Sequence, residues 1–191
     1  MTRSCPRHGR IQRVVVAAAI ATVAFTSFVA AQTATAPELK AAFLYNFAKF
    51  VEWPADSMAA GAPLVLCVLG DGAVADALDE TVKGRAIDGH PVTTRRVKVD
   101  GALRSCHVLY LSGVDAKGSH ELLVGLGDSA VLTASDLDRF AQLGGVANFF
   151  VENGKMRFAV NLESAQRARL QLSSRLLGLA KIVKDDQHVQ R

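Results

Sequence analysis

Asn153-Gly154 stands between two apolar runs, and this dipeptide is the preferred filling of a two-residue hairpin turn because both central positions take positive φ. Counting outward fixes a register: Val151 faces Met156, Phe149 faces Phe158 and Ala147 faces Val160 on one side of the ribbon. On the other side Glu152 meets Lys155 and Phe150 meets Arg157. The first set is a core face. The second carries a lone aromatic beside a cation, either an ordinary cross-strand pair or part of a contact surface, so Phe150 and Arg157 are candidate partner or dimer contacts.

Upstream, short apolar runs alternate with helical patterns. Thr35-Ala36-Pro37-Glu38 has the spacing of a capping box, and Leu39, Phe43, Phe47, Phe50 and Val51 then recur as one helical stripe that Trp53-Pro54 ends. Tyr45, Asn46, Lys49 and Glu52 fall off that stripe, as a solvated face does. Residues 64–69, bounded by Pro63 and Gly70, read as a strand buried on both faces. A helix over 74–82 follows. Residues 87–97 suggest two extended pieces around a turn, with 91–97 an edge-strand candidate because of Pro91. Residues 106–111 and 130–133 are further strands, and 121–126 a helical turn or two. Ser135 is placed to cap a helix over 136–143 that Gly144-Gly145 would stop.

After Asn161, itself a cap candidate, the spacing predicts one long helix to about Val183. Leu172, Leu176, Leu179 and Val183 form its stripe, while Leu170 and Leu177 lie off it. That widens the apolar surface and makes Leu170 and Leu177 candidate partner or dimer contacts. The pattern as a whole predicts a single α/β domain over 37–183: a mixed, largely parallel sheet flanked by helices, with a C-terminal β-hairpin followed by a long helix. The polar stretch 184–191 is expected to be a disordered tail.

The N-terminal segment changes the meaning of the net charge. Residues 1–31 hold Arg3, Arg7, Arg10 and Arg13 and no acid, and an uncharged run fills 14–31. This is the pattern of a secretory signal peptide, cleaved near Ala31, with 32–36 a short tether. The alternative is an uncleaved anchor, which 18 apolar residues could barely provide. The rest of the chain has 18 basic against 18 acidic side chains, so the overall charge of +4 argues for neither nucleic acid nor anionic lipid.

Export keeps two cysteines, Cys67 and Cys106, in an oxidising compartment, each in a strand-like run. Neighbouring strands lie about 5 Å apart, a separation that a disulfide accepts. The alternative is two free buried thiols. Cys106 and His107 point to opposite faces of a strand and cannot share a metal ion. Gly70-Asp71-Gly72-Ala73-Val74-Ala75 loosely fits a dinucleotide turn, or a milder small-anion site at a helix N-terminus, although strand-to-helix turns need glycine for geometry alone. No G-x-S-x-G elbow, H-E-x-x-H or Walker loop occurs. The chain therefore reads as a binding module without cofactor or metal, and not as an enzyme.

Residues 40–54 (KAAFLYNFAKFVEWP), 106–112 (CHVLYLS), 131–136 (VLTASD), 144–149 (GGVANF), 160–162 (VNL) and 172–174 (LSS) resemble, in order and spacing, the YfiR-like periplasmic proteins. The resemblance covers about residues 39–183. It implies an exported α/β domain that tends to dimerise. It also implies a regulator that binds the periplasmic sensor domain of an inner-membrane diguanylate cyclase and holds it inactive, lowering cyclic-di-GMP synthesis and biofilm formation. Cys67 and Cys106 match the family's disulfide positions; a second pair that some members carry is missing here, since no cysteine follows Cys106. The other function considered is a periplasmic protein that binds a small anion or nucleotide and feeds a different membrane sensor.

Overall fold

The first helix, α1 (Ala36–Lys49), begins where its side chains dictate. Glu38 N–H donates to Thr35 Oγ1, the Glu38 carboxylate accepts from Thr35 N–H at 2.7 Å, and Pro37 fits the first turn. The structure is a computed structural model that describes residues 35–186; the expected signal peptide and residues 32–34 of the expected tether lie outside the described residues. The buried face of α1 is Ala41, Leu44, Phe47 and Ala48, rotated from the expected stripe, with Leu39 exposed and Phe43 at the flank. The two alanines let the helix lie close to the sheet. Phe43 and Phe47 reach Phe149 and Phe158 with ring centroids 5.1 to 5.8 Å apart.

The chain then runs through β1 (Val51–Glu52), β2 (Leu64–Leu69), α2 (Gly72–Val82), β3 (Ala86–Ile87), β4 (His90–Val97), β5 (Val108–Leu111), α3 (Ala116–Leu126) and β6 (Leu132–Ser135). It ends with β7 (Ala147–Glu152), β8 (Lys155–Asn161), α4 (Leu162–Arg167), β9 (Gln171–Leu172), α5 (Ser174–Leu177) and β10 (Lys181–Val183). Eight strands form one sheet in the order β10-β8-β7-β6-β5-β2-β4-β3, antiparallel only at β7/β8 and β3/β4. Strands β1 and β9 pair separately. The expected mixed, largely parallel sheet flanked by helices is the observed fold.

Alternation along β2 divides the core. Leu64, Leu66 and Val68 join the cluster under α1 and α2, whereas Val65, Cys67 and Leu69 join the one under α3. The hairpin β7/β8 has the register counted from its turn, pair for pair from Ala147–Val160 to Glu152–Lys155, and both Asn153 and Gly154 have positive φ. On the other side of the sheet the two-residue β3 covers only the start of β4.

Two expected helices are corrected. Residues 136–143 form a series of turns: Ser135 Oγ accepts from Leu137 N–H, and Arg139 at φ 57° breaks any helical continuation. The long C-terminal helix is in fact four short elements. Helix α4, capped by Asn161, stops at Arg167; Arg169 at φ 58° turns the chain into β9; Ser173 caps α5; and β10 runs parallel to β8. Leu172, Leu176, Leu179 and Val183 therefore share no stripe. Asp185 and Asp186 of the expected disordered tail make defined contacts, and 187–191 lie outside the described residues.

Candidate functional site

Cys67, on β2, and Cys106, just before β5, are bonded, with Cα atoms 5.8 Å apart. The bond is buried among Leu103, Leu109, Leu122 and Leu126 below α3. It closes a loop of 39 residues, which stabilises the fold by about 4 kcal/mol on the chain-entropy model. His107 lies on the other side of that strand. Its ring edge meets Trp53 at 6.0 Å between centroids, and its Nδ1 accepts from Val65 N–H at 3.0 Å. Burial holds the His107 pKa below the ordinary histidine value, the Ser57 backbone pulls it upward and His90 pushes it further down.

The ammonium of Lys40 lies at the carboxyl ends of β2, β5 and β6, the end of an open α/β sheet that commonly takes a ligand. It donates to Asp136 at 2.6 Å and to the Tyr110 hydroxyl at 3.0 Å, and stands 3.9 Å from Asp71. Burial pulls the Lys40 pKa down, but the hydrogen bonds to Asp136 and Tyr110 outweigh it and leave the pKa raised. Burial pushes Tyr110 up to about 12, against the hydrogen bond from Lys40. The glycine turn after β2 serves this packing. Gly70 is at φ 88°, and a Cβ there would sit 2.1 Å from Ser112 O. Asp71 occupies the α2 N-terminus itself, accepting from Val74 N–H at 3.1 Å.

The four candidate contact residues do not form one patch. Phe150 and Arg157 are cross-strand neighbours, as expected; Lys181 Nζ lies over the Phe150 ring at 5.8 Å, and Arg157 is 3.8 Å from Glu152. Leu170 is 4% exposed and belongs to the main core, and Leu177 packs against that core. Both were assigned outward by a helical phase that the chain does not keep. Large apolar side chains stand exposed elsewhere, among them Val151 (71%) on β7, Val124 (65%) on α3, Leu179 (68%) in the turn before β10 and Ile182 (47%) on β10, a free edge of the sheet. A three-residue strand gives too short a sequence signal to announce that edge. Lys40 and Asp136, 96 positions apart, gave no local signal either.

Among the described residues no group of three or more His, Cys, Asp or Glu is placed to hold a metal ion, and no helix is long and apolar enough to cross a membrane. The fold is an α/β domain cross-linked between neighbouring strands, with a lysine of its own first helix paired at the carboxyl ends of its central parallel strands. The chain belongs to the YfiR/HmsC-like family, whose model matches residues 37–181. Comparison with curated proteins yields no match.

Proposed function

We propose that this protein is a periplasmic regulator that binds the periplasmic sensor domain of an inner-membrane diguanylate cyclase and represses it, lowering cyclic-di-GMP signalling. The observation that carries this reading is the family match over residues 37–181. A repressor of this kind needs unequal affinity for two receptor conformations rather than a reactive group. The Lys40 ammonium is paired with Asp136 and Tyr110 within the chain, consistent with a structural rather than a reactive role for it. We place receptor contact on the Phe150–Arg157 face and contact with a second copy on the free β10 edge, where Leu179 and Ile182 are exposed.

The test is capture of the cyclase's purified periplasmic domain, together with cyclic-di-GMP measured in a deletion strain. Complex formation and a raised nucleotide level are expected. Unchanged levels with no complex would sink the reading. In a complex, Phe150→Ala and Arg157→Glu should each weaken capture without altering the melting curve.

A further inference from the structure

A cavity of about 310 Å³, roughly ten water volumes, lies between the end of α3, the start of β6, helix α4 and the chain after β10. Leu123, Leu126, Val131, Val146 and Ala168 give it apolar walls. At one end a carboxylate is held by a built set of donors, and that carboxylate belongs to the chain itself.

Asp185 Oδ1 accepts from Asn161 Nδ2 at 2.5 Å, and Arg167 donates to Asp185 from Nη1 at 2.7 Å and from Nη2 at 3.4 Å. Neither donor is free to wander. Asn161 is fully buried, its Nδ2 also donates to Ala141 O at 2.7 Å, and its Oδ1 accepts from Ser164 N–H at 3.1 Å. Arg167 Nη2 is fixed by Ser164 Oγ at 2.8 Å. This two-pronged guanidinium beside a buried amide is the geometry of carboxylate recognition. The other acid at this end, Asp186, is paired with Arg139 at 2.5 Å, and its N–H donates to Gln142 O at 3.0 Å.

Asp185 lies two residues beyond Val183, the last ladder residue of β10, and its carboxylate is held by polar contacts outside both apolar clusters, so no core packing opposes its release. A carboxylate arriving from outside would find the same donors and, unlike Asp185, could bring an apolar body for the adjoining walls. We infer that this cavity binds a small carboxylic acid with an apolar body, its acid group replacing that of Asp185 at Asn161 and Arg167. The stretch 184–186 then acts as a built-in competitor. The site is independent of the receptor-binding reading.

Calorimetric titration of the purified protein with hexanoate, and with hexan-1-ol as the matched neutral probe, tests it. Hexanoate should bind Asp185→Ala at least tenfold more tightly than the unaltered protein. Adding Arg167→Met should abolish that gain, and hexan-1-ol should bind neither form. Hexanoate should also speed hydrogen exchange at Asp186 N–H in the unaltered protein, a readout that stands if Asp185→Ala fails to fold. Equal affinity of Asp185→Ala and the unaltered protein, insensitivity to Arg167→Met, equal binding of the alcohol, or unchanged exchange at Asp186 would each overturn the assignment.

Discussion

Lys40, from the first helix, donates to Asp136, from the turn after β6, at 2.6 Å, with the Tyr110 hydroxyl as a second acceptor. The lysine side chain is 13% exposed and that of Asp136 39%. Lys40→Met should therefore cost about 1 to 2 kcal/mol in urea denaturation, less than a fully buried charged hydrogen bond would, because water screens the aspartate. The lysine's folded pKa is raised, so its contribution is complete below 10.5 and is lost as the pH climbs past the folded value. Tyrosinate absorbance should show a step near pH 12 that is missing in Tyr110→Phe.

His107 has the opposite sign. Its folded pKa is lowered, so stability is complete above about 6.5, the unfolded value, and falls as the pH drops through the folded one. Protonation would require Nδ1 to give up its bond from Val65 N–H. His107→Asn keeps an acceptor near that position without titrating, so a plot of unfolding free energy from pH 7.5 to 5 should be flatter than for the unaltered protein. Superimposable slopes would exclude His107 as the group behind the acid-side loss of stability.

The buried disulfide should resist reduction. Thiol labelling after dithiothreitol should reach Cys67 and Cys106 only when urea is added, and replacing both by Ala should lower stability by about 4 kcal/mol. Rapid labelling of the native protein would contradict the shielding.

Two glycines with positive φ should behave differently. A Cβ at Gly154 meets nothing within 4 Å, so Gly154→Ala should cost only the backbone term, about 1 kcal/mol. At Gly70 the Cβ would overlap Ser112 O, and the same change should cost about 3 kcal/mol or more, read from urea midpoints.

If a second copy docks on β10, Ile182→Lys should weaken self-association by at least about tenfold in sedimentation, since each copy would lose a buried aliphatic contact. A dimer unaffected by the change lies on another surface.

What local chemistry decides was legible in the residues. The Thr35–Glu38 box, the doubly buried β2 run and the Asn153-Gly154 turn each specify their own geometry, and the turn carries the hairpin register with it. The C-terminal segment was illegible for a definite reason. Leu172, Leu176, Leu179 and Val183 kept a helical spacing while belonging to a strand, a short helix, a turn and an edge strand. Arg139 and Arg169 end helical continuation by adopting positive φ, which their side chains do not advertise. The candidate site divides the same way: the Phe150–Arg157 pairing follows from the hairpin count and strand spacing allows the Cys67–Cys106 bond without deciding it, whereas Lys40–Asp136 and Asn161–Asp185 depend on long-range pairing.

The Cys67–Cys106 loop runs from within β2 through α2, β3 and β4 and takes nothing from the hairpin or the segments beyond it. If the chain is exported from the N-terminus forward, as proposed above, oxidation would lock this unit while the last third of the polypeptide is still in transit. The three strands so fastened would then offer β5 its partner in β2, and β10 would join last.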